Sequence, residues 1–373
     1  MPLVISDNRD SVQKFPDKET KAVSSIPFCE AKLSQSYKIN RHPIQGETNH
    51  VFTLGKKDEV PEFVVRVNFC GKESLHYWQN NFIRSANARS ILPKELNALC
   101  PKVIKVGSME SAFIPFCYII EEFKKGENAT SGLENISRLA LLEQLGCLSS
   151  QINSIKVAGI GATEVFIQEI FQNKSSLGLD SLKDYMNFFS SRVEDQLSSS
   201  LRGKLNDKEL ARIRHGLDSL KHKGWESVGL CHGDINLSNV LTDGESVSCI
   251  LDWDYSSGNF KLISDLSGLM PVYLGEFSEI DLLREENKRI RNWRELDAFL
   301  SGYFNEEVPY SKFEKSIRPD LETLWLVKVL SRADHHAKIF NISEDKGTIL
   351  FHRKRLTLCL NTISTIVNGE WIS

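Results

Sequence analysis

An aspartate and an asparagine stand five residues apart in His232-Gly233-Asp234-Ile235-Asn236-Leu237-Ser238-Asn239, and a further aspartate, Asp252, closes the next apolar run. Taken singly, each reads as a turn residue, because Asp and Asn readily hydrogen-bond nearby backbone in loops. Together, at these spacings around a hairpin, they suit phosphoryl transfer. That reaction asks little covalent chemistry of the protein, so an aligned acceptor oxygen and positioned metal charge supply most of the rate. Asp234 is placed to accept the proton of the attacking hydroxyl. Asn239 and Asp252 are placed to hold Mg²⁺, a hard cation that favours amide and carboxylate oxygens.

Short strands must hold these residues. Val228-Gly229-Leu230, Val240-Leu241-Thr242 and Val247-Ser248-Cys249-Ile250-Leu251 read as three of them, the last two joined by a turn at Asp243-Gly244. Upstream, residues 50–54, 63–67 and 116–120 are β-branched or aromatic runs separated by turn residues, the pattern of an antiparallel sheet, with one helical stretch over 74–91. After Lys124-Lys125-Gly126-Glu127-Asn128 the apolar period becomes helical, over 136–152 and 181–220. The expected organisation is a polar extension over 1–28, a sheet-rich lobe over 29–122, a connector over 123–128 and a mainly helical lobe over 129–373.

A chain of 373 residues exceeds one ordinary hydrophobic core, consistent with two lobes. Its 41% hydrophobic and 25% charged residues are those of a folded globular protein. Forty-six Lys and Arg against 49 Asp and Glu leave a formal charge of −3, which gives no general attraction to nucleic acid or anionic membranes. The first residues lack the apolar run of a signal peptide and no segment reads as a membrane span, so a cytoplasmic location is expected. The eight cysteines include no CxxC pair, which argues against zinc and against a disulfide framework. His335-His336 and Arg353-Lys354-Arg355 read as solvated helix faces.

The run from Cys231-His232-Gly233-Asp234 to Asn239, followed by Ile250-Leu251-Asp252-Trp253-Asp254 and Asp265-Leu266, resembles the aminoglycoside phosphotransferase family, relatives of the choline kinases. Gly46-Glu47-Thr48-Asn49-His50-Val51-Phe52 is similar to the family's nucleotide-covering hairpin. Phe63-Val64-Val65-Arg66-Val67-Asn68 resembles its third strand, as in hygromycin B phosphotransferases. The resemblance implies an α+β, two-lobed protein-kinase-like fold, with a small antiparallel-sheet N-lobe and a mainly helical C-lobe. It implies ATP or GTP as phosphoryl donor, bound by Gly46, Asn49, Arg66, Glu122 and Phe123, with His232 supporting the loop and Asp265 hydrogen-bonding it from behind. Arg66 stands where the family usually has Lys, and can pair with phosphate oxygens through a forked guanidinium. No carboxylate is evident in the following helix beyond Glu73 at its start, a position that also suits the helix dipole.

The implied acceptor is a small hydroxylated molecule, aminoglycoside-like or another natural product, or else a choline- or sugar-type metabolite. Asp254 with Glu276, Glu279 and Asp281 could attract an amine-bearing acceptor, although the 276–286 stretch also fits a solvated acidic helix face. A nucleotide-binding scaffold without turnover would have no need of Asp234 beside the metal ligands. A protein kinase is disfavoured because Gly233 replaces the arginine of His-Arg-Asp and no Ala-Pro-Glu segment follows Asp252.

Overall fold

The computed structural model describes residues 23, 26, 38–42, 49–56, 59–110, 115–130, 137–157, 161–162, 182–223, 227–273, 288–343 and 345–371. They fall into two compact units, Met1–Gly126 with Cys249–Tyr255, and Glu127–Ser248 with Ser256–Ser373. The segment carrying Asp252 and Asp254 therefore belongs to the first unit, where sequence pattern alone had grouped it with the helical lobe. Its backbone is tied there by the Ile250 N–H, which donates to Leu99 O at 2.7 Å.

The first unit is built on an antiparallel sheet whose strands lie in the order β1 (Lys38–Arg41), β2 (His50–Gly55), β3 (Phe63–Phe69), β5 (Phe116–Glu122) and β4 (Val103–Met109). Alternation decides its two faces. Phe52, Leu54, Val65, Val67, Phe116, Tyr118 and Ile120 pack on one side with Val23 and Ile26. Cys117 and Ile119 face the other side, where they meet Leu75 and Phe82 of helix α1 (Lys72–Ser90). The same period puts Arg66, Asn68 and Glu121 on the α1 face. A short helix α2 (Lys94–Ala98) leads into β4.

A small sheet joins β6 (Glu127–Asn128), β9 (Val240–Thr242) and β10 (Val247–Ile250), in the order β10-β9-β6. A second sheet, in the order β7-β11-β8, joins β7 (Gly161–Ala162), β11 (Ser257–Phe260) and β8 (Val228–Cys231). The helices are α3 (Arg138–Asn153), α4 (Leu182–Ser198), α5 (Asp207–Leu220), α6 (Ile263–Leu269), α7 (Trp293–Phe304), α8 (Arg318–Ile342) and α9 (Lys346–Asn368).

The helical stretch expected over 181–220 is thus two helices. Asn206 starts the second with a capping box, its side chain accepting from the Glu209 N–H while the Glu209 side chain accepts from the Asn206 N–H. Helices α3 and α7 cross closely enough that a Cβ at Gly146 would collide with Phe299 O, and one at Gly302 with Glu143 O. Among the described residues no helix is long and apolar enough to cross a membrane. The described cysteines are buried apart from Cys147.

Candidate active site

The loop Asp234–Asn239 follows β8, whose four residues are all buried. His232 is fully buried, and its Nδ1 accepts from the Asp234 N–H at 3.4 Å. Between them Gly233 turns the chain at φ 82°, a left-handed conformation at which glycine carries no steric penalty. Asn236 closes the turn, donating to Asp234 O at 2.9 Å and accepting from the Ser238 N–H at 3.0 Å. Asn239 then reaches back, its Nδ2 donating to Asp234 O at 2.9 Å and to Asp234 Oδ2 at 3.2 Å. The amide N–H groups of Asn239 are engaged with Asp234, so its oxygen is the atom left to serve as a hard donor.

Asp265 braces the loop from α6. Its fully buried carboxylate accepts from the Gly233 N–H at 3.0 Å, from Ser149 Oγ at 2.9 Å and from Asn153 Nδ2 at 2.9 Å. The last turn of α6 lies against the loop at Gly268, where a Cβ would come within 2.8 Å of Ile235 O.

Lys328 of α8 also lies at this carboxylate, its Nζ 3.6 Å from Asp234 Oδ1 and 3.5 Å from Ser267 O. Burial alone would push the Asp234 carboxyl up; Lys328, Arg289, His232 and Arg332 outweigh it and hold the group below the usual carboxylate range. Burial drives Lys328 the other way, down to about 8, with Asp234 opposing the shift and Arg289 and Arg332 adding to it.

The first unit holds the remaining residues around Arg66, which is only 9% exposed. Its Nε donates to Glu121 Oε2, one terminal nitrogen to Asp252 Oδ1 and Asp254 Oδ2, and the other to Asp254 Oδ1, all at 2.9 Å. Burial pulls the guanidinium pKa down, but Asp254, Glu121 and Asp252 outweigh it and raise it well above its ordinary value. Glu121 in turn is pushed up by burial and held low by Arg66 and Arg89, the latter bonded at 2.5 Å. Arg84 of α1 donates to Asp254 O at 3.2 Å.

Asp252 adopts φ 59°, a left-handed conformation that costs a non-glycine residue energy and is frequent at functional sites. Its side chain is 37% exposed, against 9% for Asp254. The exposed Asp252 carboxylate is of the donor type that Mg²⁺ takes.

Several expected residues take other places. The Asp254 carboxylate is buried against Arg66 and Asn49, so it cannot serve as the acceptor-binding charge expected of it. Asn49, expected near nucleotide, is buried between Asp254 and Asn68. Glu122 pairs with Lys124 at 3.4 Å and lines a cleft of about 420 Å³ with Arg89, Cys100 and Lys102. The Phe123 N–H donates to Glu62 O at 2.8 Å. Gly46, Glu276, Glu279 and Asp281 lie outside the described residues, as does the side chain of Glu73.

The histidine pair also departs from a solvated face. His335 is exposed, but His336 is 4% exposed, its Nδ1 2.9 Å from Nδ1 of the buried His352 and its Nε2 3.0 Å from the Tyr273 hydroxyl. The α8–α9 packing that buries these rings cannot be read from the local charge pattern around either one.

Glu121, Arg89, Arg289 and Lys328 were not singled out from sequence. Two of them had a signal. Lys328 is a charge inside the apolar run Leu324-Trp325-Leu326-Val327-Lys328-Val329-Leu330, and Glu121 is a carboxylate that follows the apolar run Phe116–Ile120, in phase with Arg66.

Among curated proteins no sequence matches this chain significantly. Among solved structures, aminoglycoside phosphotransferase APH(4)-Ia in ternary complex with ADP and hygromycin B is 14% identical, covering 92% of this chain and 96% of its own, with a TM-score of 0.53. ADP-bound aminoglycoside phosphotransferase APH(2'')-Ib is also 14% identical, covering 94% and 99%, with a TM-score of 0.54. The ethanolamine kinase of Plasmodium vivax is 16% identical, covering 96% and 91%, with a TM-score of 0.55. These likenesses establish the two-lobed α+β kinase-like fold. The sequence profile of the phosphotransferase enzyme family matches residues 41–267, a span that holds the whole Asp234–Asn239 loop, Asp252 and Asp265, and the chain belongs to that family.

Proposed function

We propose that this phosphotransferase moves the γ-phosphoryl group of ATP, or of GTP, onto a hydroxyl of a small molecule. The observation that carries the reading is the Asn239–Asp234 pairing inside a loop braced by Asp265. It fixes the Asp234 carboxylate in orientation while leaving it exposed enough to meet a hydroxyl. A carboxylate held ionised is a weak base, which suits a transition state in which the acceptor proton leaves late and orientation of the hydroxyl matters most.

Asn239 and Asp252 would hold Mg²⁺, which when bound would neutralise charge on the donor phosphates. Arg66 would fix Asp252 in place, since one of its nitrogens is on Asp252 Oδ1. His232 and Asp265 would hold the loop's shape without touching substrate. Backbone of the Glu122–Phe123 segment would meet the nucleotide. The alternative acceptors are an aminoglycoside-like natural product and a metabolite of choline or sugar type.

Purified protein incubated with ATP, Mg²⁺ and a panel of hydroxylated acceptors, with ADP release followed by a coupled assay, tests the reading. Acceptor-dependent ADP release that disappears in Asp234→Asn is the expected result. Undiminished release in that variant would remove Asp234 from the chemistry.

A further inference from the structure

The last turns of α8 and the first turns of α9 bring three imidazoles together. His335 and His336 are adjacent on α8, and His352 lies on α9. Each offers a ring nitrogen that lies within 4.8 Å of the other two. The ring centroids stand 5.1, 5.3 and 6.0 Å apart. Three imidazoles on one tetrahedral ion, with metal–nitrogen bonds of about 2.0–2.1 Å, put their nitrogens about 3.4 Å and their ring centres about 5 Å apart. The widest centroid separation is between His335 and His352, and the exposed His335 ring can turn inward to close it.

The buried pair is arranged as ligands are. Nδ1 of His336 and Nδ1 of His352 face each other at 2.9 Å. A hydrogen bond between them needs one proton, and a cation could take its place. On the other side of the His336 ring, Nε2 lies 3.0 Å from the Tyr273 hydroxyl, which also accepts from Arg355 at 3.4 Å. With its proton on Nε2, His336 donates to Tyr273 and turns the Nδ1 lone pair toward His352. This is the outer hydrogen bond that fixes tautomer and orientation in metal-bound histidines. Burial first, then His335, His352, Arg355 and Arg332, pull His336 down to about 3, so its ring stays neutral, the form that ligates.

The charges around the cluster bear on which ion it would take. Arg355 and Arg332 act on His336 as cations, and Asp334 is bonded to Lys338 and Ser200. The three ligands are themselves neutral. An ion held here would gain from nitrogen lone pairs rather than from attraction to charge. That favours Zn²⁺, Co²⁺ or Ni²⁺, which imidazole suits, over Mg²⁺ and Ca²⁺, which take oxygen ligands.

We infer that His335, His336 and His352 form a site for a divalent transition metal of the zinc class, which staples α8 to α9. Water would fill the fourth position of a tetrahedral ion. The site lies apart from the Asp234–Asn239 loop in the chain and does not depend on the phosphotransferase reading.

The test uses the full chain, stripped with a chelator and kept in excess Mg²⁺ so that sites built from oxygen ligands are filled. Calorimetric titration should show Zn²⁺ binding with a Kd below about 10 µM, and Co²⁺ should give the visible absorption of a four-coordinate ion. His335 is exposed, so His335→Gln should fold like the parent and weaken Zn²⁺ at least about tenfold. His352→Gln should weaken it further, and Tyr273→Phe, which removes only the outer hydrogen bond, by about tenfold. At one fixed concentration Zn²⁺ should raise the melting temperature of the parent by at least about 2 °C, and that of His335→Gln by less. Zn²⁺ binding weaker than about 10 µM overturns the inference. So does binding that is unchanged in His335→Gln, which would put the metal elsewhere in the chain, or competition by Mg²⁺ that removes it.

Discussion

Arg66 Nε and Glu121 Oε2 meet at 2.9 Å across adjacent strands, so the cation of β3 finds a carboxylate partner within the sheet. The acid sought in the following helix is supplied instead by β5. Helix α1 contributes Arg89 to that same carboxylate and Arg84 to the Asp254 backbone. Removing the guanidinium would strand Glu121 and Asp254 as buried charges. Arg66→Met should therefore lower unfolding stability by about 3–5 kcal/mol, read from denaturant melts. A variant as stable as the parent would show that the network holds no folding energy.

Asp234→Asn keeps the size of the side chain and removes the acceptor of the hydroxyl proton. Turnover should fall by about 10²–10⁴-fold with nucleotide affinity nearly unchanged, because the lost group faces the acceptor. Parallel kinetics and nucleotide titration check the two halves. Equal losses in turnover and nucleotide affinity would place Asp234 on the triphosphate instead.

Burial pulls Lys328 down to about 8, so it loses its charge as pH rises through that value. Transfer should decline on the alkaline side with a midpoint near 8, whereas the Asp234 carboxyl, held low, should limit the rate only in acid. Lys328→Arg should carry the alkaline limb out of range, since guanidinium stays protonated. A parent profile that stays flat well above pH 8 would mean the charge on Lys328 is irrelevant to transfer.

Gly268→Ala tests the contact between α6 and the loop. A methyl group 2.8 Å from Ile235 O, with Ile235 N at 3.1 Å, must displace backbone, an overpacking that costs about 1–3 kcal/mol. Turnover should drop further than nucleotide affinity, because the displaced atoms adjoin Asp234. A fully active Gly268→Ala enzyme would show that the loop tolerates movement at its base.

Legibility followed sequence separation. The Asp234–Asn239 loop, three of the five strands of the first unit's sheet and α1 were readable because each rests on a local pattern: a fixed spacing, a period of two, a period near four. What stayed hidden were pairings between distant segments. Nothing local in Asp254 says that it lies on Arg66, so it read as an open acidic charge. His336 looked solvated until α9 supplied His352. Lys328 stood inside an apolar helix run, which marks a buried cation but does not name Asp234 as its partner. The polar break at Asn206 was within reach of capping rules, and the single helix expected across it was a misreading of a local signal.

The left-handed backbone at Asp252 bears on how that position is probed. Alanine there would lose the carboxylate and also place a residue with no polar side chain in a conformation that Asn and Gly tolerate far better. Two losses would be mixed in one number. Asparagine keeps the short polar side chain that eases this geometry and discards only the charge, and glycine relieves the backbone while discarding the ligand. The pair of substitutions separates conformational relief from electrostatics, which an alanine scan at this aspartate would confound.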